Sequence, residues 1–298
     1  MTVFECVQQA SRQLEAAGVA FGHGTTNAFD EAAWLVLWRL GLPLDALDEP
    51  AGRVLTAAEQ RQVQALIDER IRTRRPAAYL TGEAWLQGVP FFVDERTIVP
   101  RSLIAEPLAA GDIDALMGRE PARVLDLCTG NGSLAVLSAM AWPDATVVGT
   151  DLSAAALEVA ARNAARHGLS SRIELRRGDG LAALLPDERF DLVLCNPPYV
   201  NAASMAALPA EFRAEPALAL AGGTDGMDFV RPLLHGIATH LAPGGVLVLE
   251  VGHEREHLDA AFPRLEAVWL DTSAGGDAVL ALARDALPTT ETSEAGPR

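Results

Sequence analysis

The stretch Cys195-Asn196-Pro197-Pro198-Tyr199-Val200 follows directly on the apolar run FDLVL. Two consecutive prolines lack backbone donors and have φ fixed, so neither a helix nor a central strand continues through them. A strand therefore ends at Cys195, and a rigid segment begins there. Such a segment suits two roles: a plain strand stop, or a stiff support that presents an amide, a carbonyl and an aromatic ring for chemistry.

The residues around this stretch alternate between apolar runs and helical patterns. Strands are expected at 123–128, 146–151, 172–177, 190–195, 245–251, 267–271 and 278–284. Helices are expected in SLAVLSAMAW, SAAALEVAARNAARHG, GLAALLP, MDFVRPLLHGIATHLAP and EREHLDAAF. Alternation of this kind predicts an α/β fold with a largely parallel sheet and helices on both faces. Only TSAGGD separates the last two strands, which predicts an antiparallel pair.

The first 82 residues read differently. TAAEQRQVQALIDERIRTRRP opens with Thr56 and Glu59 in capping-box spacing, carries an apolar stripe and ends at Pro76. NAFDEAAWLVLWRLG has Asp30 and Glu31 early, with Gly41 as a C-terminal stop. A helical domain expected to recognise the substrate (1–82), a β-hairpin linker (83–104), an α/β domain (105–285) and a disordered tail (286–298) follow as expectations.

Charge and cysteines narrow the function classes. With 24 basic and 40 acidic side chains the net charge is −16, which disfavours a chain whose main task is gripping nucleic-acid backbone. No apolar run reaches the ~20 residues of a membrane span, and the N-terminus reads as an amphipathic helix. Cys6, Cys128 and Cys195 show neither a disulfide nor a metal-ligand pattern. Reduced thiols and a cytoplasmic setting are the expectation.

Carboxylates recur at the strand ends. Asp126 precedes the turn Thr129-Gly130-Asn131-Gly132, where glycines let a ligand approach backbone N–H groups. The spacing is not that of a dinucleotide fingerprint, and Asp126 either serves a cationic ligand or braces the turn. Asp151 at the next strand end suits ribose hydroxyls or caps the following helix. Asp179, with Gly180, suits an adenine amine. Three such acids along one sheet edge point to a single ligand site.

The order DLCTGNG, GTDLS, GDG and NPPY resembles the class I methyltransferases that use S-adenosyl-L-methionine. That resemblance implies a Rossmann-like, seven-stranded sheet. It also implies a cofactor held by Asp126, Thr129, Gly130, Asn131, Gly132, Asp151, Leu152, Asp179, Gly180 and Asn196. The NPPY element implies methylation of a nitrogen conjugated to a π-system. Asn196 and the Pro197 carbonyl would accept that nitrogen's hydrogens, Pro198 would stiffen the loop, and Tyr199 would cover the substrate's flat face. Cys128 stands where many members have glycine, and a small side chain is expected to fit.

The flanks RIRTRRPAAYLTGEAWLQG, VDERTIVPRSLIAE and EPALALAGGTDGMDF extend the resemblance over nearly the whole chain. They are similar to the HemK/PrmB family of protein glutamine methyltransferases. VDERTIVPRSLIAE is most like the PrmB branch, whose substrate is ribosomal protein L-three, although that pattern usually has proline at Leu103. A release factor with a Gly-Gly-Gln loop is the substrate in the sister branch, and a DNA or RNA amine is the third candidate. The family keeps Pro-Arg at Arg101, which is expected to help shape the substrate pocket. Glu215–Gly226 is expected to form part of the substrate wall. Arg70, Arg72, Arg74 and Arg75 read as a solvated helix end or a contact for ribosomal RNA. Glu250 and His253 read as a strand-end acid and a surface histidine, and Cys195 as a buried small residue.

Overall fold

The computed structural model describes residues 1–288. Helix α1 (Val3–Ala16) starts at Thr2, whose hydroxyl accepts from the Glu5 N–H while the Glu5 carboxylate accepts from the Thr2 N–H. Helix α2 (Ala28–Leu40) stops at Gly41 in the left-handed conformation, φ 65°. The Thr56/Glu59 box opens α3 (Ala57–Thr73) as its spacing foretold. A short α4 (Ala77–Thr81) follows Pro76. The apolar faces of α1 to α3 close on one cluster that includes Val7, Leu14, Leu35, Val63 and Ile67. Each such side chain, once buried, contributes about 1.5–3 kcal/mol.

Strands β1 (Glu83–Leu86) and β2 (Val89–Phe92) form an antiparallel hairpin. Its turn residues Gln87 and Gly88 both have positive φ, the backbone that matches strand twist. Two short helices, α5 (Ala105–Ala110) and α6 (Asp112–Met117), lead to the main sheet. There the chain runs β3 (Arg123–Leu127), α7 (Ser133–Ala141), β4 (Thr146–Asp151), α8 (Ala154–Arg166), β5 (Ile173–Arg177) and β6 (Phe190–Cys195). It continues through α9 (Ala202–Ala207), α10 (Val230–Gly236), β7 (Leu241–Glu250), α11 (Arg255–Ala261), β8 (Val268–Thr272) and β9 (Gly275–Ala283).

The seven strands lie in the order β5-β4-β3-β6-β7-β9-β8. All neighbours are parallel except β7–β9 and β8–β9, so the last pair is antiparallel as expected. Alternate residues of the central strands enter opposite cores: Val124, Leu192 and Val248 on one face, Leu125, Val193 and Leu247 on the other. Burial on both faces explains why these strands read as continuous apolar runs.

Asn163 of α8 fastens the hairpin to this sheet. Its Oδ1 accepts from the Phe92 N–H at 2.7 Å, and its Nδ2 donates to the carbonyls of Phe92 and Asn131.

Three local expectations change. GLAALLP forms only a 3-10 turn, Gly180–Ala183, cut short before Pro186. Strand β7 begins at Leu241 rather than 245, because a register shift opposite Phe190 and Leu192 absorbs Pro243, Gly244 and Gly245. The tail expected disordered from 286 is ordered through Leu287, which is buried in the sheet core. Residues 289–298 of that expected tail lie outside the described residues.

Candidate active site

Strand β4 leaves β3 on one side and β6 leaves it on the other, so a crevice opens at the C-terminal ends of β3 and β6. Two cavities occupy it. The first, about 240 Å³, is lined by Gly130, Asp151, Leu152, Asp179, Gly180 and Phe229, among others. The second, about 380 Å³, is lined by Arg101, Pro197, Tyr199, Phe212, Glu250 and Glu254, among others. Asn196, at the end of β6, lines both. Among the described residues its side-chain amide makes no hydrogen bond to protein, which leaves its oxygen and nitrogen available at the junction.

The turn after β3 shapes the first cavity. Cys128, Gly130 and Gly132 all have positive φ, at 63°, 55° and 80°. Cys128 therefore sits where an L-residue costs about 1–2 kcal/mol. The small side chain fits, as expected, and the cost of the departure lies in the backbone, whose positive φ is what favours glycine there. A Cβ on Gly132 would lie 3.0 Å from Ala160 Cβ, so this glycine lets α8 close against the turn. The Gly130 N–H donates to Asp151, whose other oxygen accepts from the Ser153 N–H. Burial pushes the Asp151 carboxyl up, against the pull of those backbone donors.

Asp126 stands behind the turn and does not line the cavity. Its Oδ2 accepts from the Thr129 hydroxyl at 2.5 Å and from the Ala135 N–H at 2.9 Å, which is the turn-bracing role. Its Oδ1 is buried without a partner. Burial lifts its carboxyl to about 7, although both hydrogen bonds pull downward. Thr129 and Asn131 are likewise buried in the turn rather than at the cavity wall. Leu152 is 43% exposed at the rim. Asp151 and Asp179 give the cavity an acidic lining. Among the described residues its one lining cation, Arg96, is already engaged by Asp94 and Glu158. A cationic nucleoside fits this lining and a diphosphate does not.

The second cavity holds a network that the sequence did not reveal. The Tyr199 hydroxyl donates to Glu250 Oε1 at 2.9 Å, and Glu250 Oε2 accepts from the Ser102 hydroxyl and the Leu103 N–H. Burial pushes the Glu250 carboxyl up, while these donors oppose the rise. Glu250, expected to be a plain strand-end acid, is thus the anchor of Tyr199. It ends β7 at the same sheet edge as the acids of β3 and β4, and that recurrence was the signal available. Gly252 leaves room for the Tyr199 ring, since a Cβ there would lie 2.5 Å from Tyr199 Cε2. His253 lines the second cavity from an exposed position.

Arg101 donates to Glu215 through both terminal guanidinium nitrogens, Nη1 and Nη2, at 2.6 and 2.7 Å, with its guanidinium carbon 5.6 Å from the Phe212 ring centre. Its charge is matched within the protein, so it builds the wall of the second cavity. The Glu215–Gly226 segment also pairs with the proline stretch: the Val200 N–H donates to the Leu220 carbonyl and the Gly222 N–H to the Val200 carbonyl.

The four-arginine cluster divides. Arg70 is completely buried and bonds Glu31 at 2.9 Å, so it is neither solvated nor able to reach RNA. Arg74 bonds Glu211 and the carbonyls of Ala17 and Gly18. Arg75 bonds Glu95, and Arg72 is exposed. Cys195 is fully buried, as expected, and burial raises its thiol.

Comparison with known proteins gives the chain a family. Residues 113–227 match the family model "Methyltransferase small domain". The chain is 53% identical over 291 residues to the ribosomal protein uL3 glutamine methyltransferase of Bordetella pertussis, with 97% of each chain covered. It is 49% identical to the enzyme of that name from Burkholderia pseudomallei, covering 96% of each, and 44% identical to that of Neisseria gonorrhoeae, covering 96% and 95%. Among solved structures, the hMettl16 catalytic domain in complex with an RNA hairpin aligns with a TM-score of 0.51 at 16% identity, over 78% of this chain and 84% of that one. At that identity the likeness is one of fold. The near-full-length relatives settle the family: the chain belongs to the ribosomal protein uL3 glutamine methyltransferases.

Proposed function

We propose that the chain transfers a methyl group from S-adenosyl-L-methionine to the side-chain amide nitrogen of a glutamine in ribosomal protein uL3. One observation carries the reading: Asn196, its amide unpaired, stands where an acidic, nucleoside-sized cavity meets a second cavity. When bound, the cofactor supplies an electrophilic methyl on a sulfonium. Asp151 would accept from the ribose hydroxyls, Asp179 and Gly180 would border the adenine, and the Gly130 turn would face the methionine part.

An amide nitrogen is a poor nucleophile because its lone pair is delocalised. The Asn196 side-chain oxygen and the Pro197 carbonyl would accept its two hydrogens and turn the lone pair toward the methyl. Tyr199, anchored on Glu250, would bound the substrate amide. Positioning and electrostatics supply the rate, with no strong base needed before transfer. A substrate within the ribosome implies action in the cytoplasm. It would also leave exposed Arg72, and Arg75 beside it, as the members of the basic cluster able to meet ribosomal RNA.

The test is label transfer from radioactive cofactor to purified uL3, a release factor and ribosomal RNA, side by side. Label on uL3 alone supports the proposal. Label on the release factor transfers the same chemistry to the sister substrate, and label on RNA refutes a protein substrate.

A further inference from the structure

Residues 209–221, just past the proline stretch, form a wall shared by both cavities. Phe212 and Leu220 line the second, Pro216 and Leu218 line the first, and Ala219 lines both. This wall has almost no regular structure of its own: two 3-10 turns, Phe212–Ala214 and Ala217–Ala219. Beyond its backbone pairing with Val200, two buried carboxylates fix its position: Glu211 on the helical domain, and Glu215 on the linker and His23.

Glu211 is 2% exposed. Its Oε1 lies 3.1 Å from Arg74 Nη1 and 3.6 Å from Arg70 Nη1. Arg70 is itself held by Glu31 of α2, so a chain of alternating charge runs from α2 through the end of α3 into the wall. Glu215, buried as deeply, accepts from the Val99 N–H and from Arg101, and lies 3.5 Å from His23 Nε2. Burial pushes the Glu215 carboxyl up, but the His23 contact and the Arg101 charge outweigh it and hold it at about 2. Between the two carboxylates, Phe212 packs on the His23 ring with centroids 4.2 Å apart. Gly22 makes room for it, since a Cβ there would lie 2.9 Å from Phe212 Cζ.

We infer that the helical domain is a working part of the catalytic site: Arg74 and Glu211, which line neither cavity, are positioning residues that set the wall on which cofactor and substrate amide both rest. The inference rests on the proposed function and assigns the helical domain a role beyond the substrate recognition expected of it. Removing one partner of this contact leaves the fold's apolar cores intact but frees the wall to sample other positions. Ligands that need a single position then bind less tightly, because only a fraction of molecules is competent.

The experiment compares wild type with Arg74→Gln, Glu211→Gln, their double variant and Arg74→Lys. Arg74 is 31% exposed on its side chain, which makes its replacement milder than that of buried Arg70. Binding of S-adenosylhomocysteine is measured by calorimetry well below the melting transition, and kcat and KM are measured with uL3. Coupling through a packed network changes affinity by about twofold to thirtyfold. The expected result is weaker S-adenosylhomocysteine binding in that range for both single variants, a double variant no worse than either, and partial rescue by Arg74→Lys. Binding that matches wild type in all folded variants overturns the inference, and so do additive losses in the double variant. A wild type that binds S-adenosylhomocysteine but does not methylate uL3 overturns the proposed substrate and leaves the binding comparison intact as a test. A wild type that binds none overturns both.

Discussion

The buried carboxyl of Asp126 gives the fold a pH dependence that can be calculated. In the folded chain this group holds its proton up to about pH 7, whereas its ordinary value is 3.8. Burial is the first cause, and the partnerless Oδ1 shows why the charged form is poorly compensated. A raised carboxyl means that the folded state binds more protons than the unfolded one between those two values. Stability from this group is therefore greatest at low pH and is lost as pH climbs through about 4 to 7. With 1.36 kcal/mol per unit, the change between pH 5 and pH 8 comes to roughly 3 kcal/mol.

Asp126→Asn removes the titration and keeps an oxygen for the Thr129 hydroxyl and the Ala135 N–H. Urea denaturation of both proteins at these two pH values gives the comparison, in which every other ionisable group cancels. The Asn variant gains on wild type by roughly 3 kcal/mol from the lower to the higher pH. A difference that stays constant within about 0.5 kcal/mol, well under the predicted change, refutes the account of a protonated, bracing carboxyl.

Two further substitutions probe the second cavity. Tyr199→Phe strips Glu250 Oε1 of the Tyr199 hydroxyl, its one side-chain donor among the described residues, so it costs about 1–3 kcal/mol in denaturation experiments and lowers turnover. Stability equal to wild type would show that the Tyr199–Glu250 bond carries no weight. Gly252→Ala adds a methyl into the Tyr199 ring at a residue with φ 54°, so thermal melting falls and turnover falls with it, while S-adenosylhomocysteine affinity holds. An active, equally stable variant would show that Tyr199 needs no fixed position.

The sheet was legible because its central strands β3, β4, β6, β7 and β9 are buried on both faces and so appear as apolar runs, whereas the edge strands β5 and β8 are only partly covered. The cavity edge was legible too, since Asp151 and Asn196 close apolar runs and Asp179 follows the end of β5, and all three line the first cavity. What stayed hidden depends on pairs far apart in the chain. Arg70 and Glu31, Arg101 and Glu215, and Tyr199 and Glu250 are separated by 39, 114 and 51 residues, and no local pattern couples them. A buried arginine and an exposed one have the same letter, which is why the Arg70–Arg75 run read as a surface feature. The sign of φ at Cys128 and the inward turn of Asp126 are properties of the folded loop. Neither hydropathy nor spacing records them.

The central claim is that Asn196 orients a glutamine amide for methyl transfer, and one measurement addresses it most directly. Wild type and Asn196→Ala are each incubated with uL3 and S-adenosyl-L-methionine, and the modified peptides are sequenced by tandem mass spectrometry. S-adenosylhomocysteine binding by both proteins is measured in parallel. The account predicts a methyl on a glutamine side chain with wild type, and at least about a hundredfold slower transfer by the variant, the scale of a lost orienting contact. It also predicts that the variant still binds S-adenosylhomocysteine. Unchanged transfer by Asn196→Ala, or a methyl mapped to any residue other than glutamine, would contradict it.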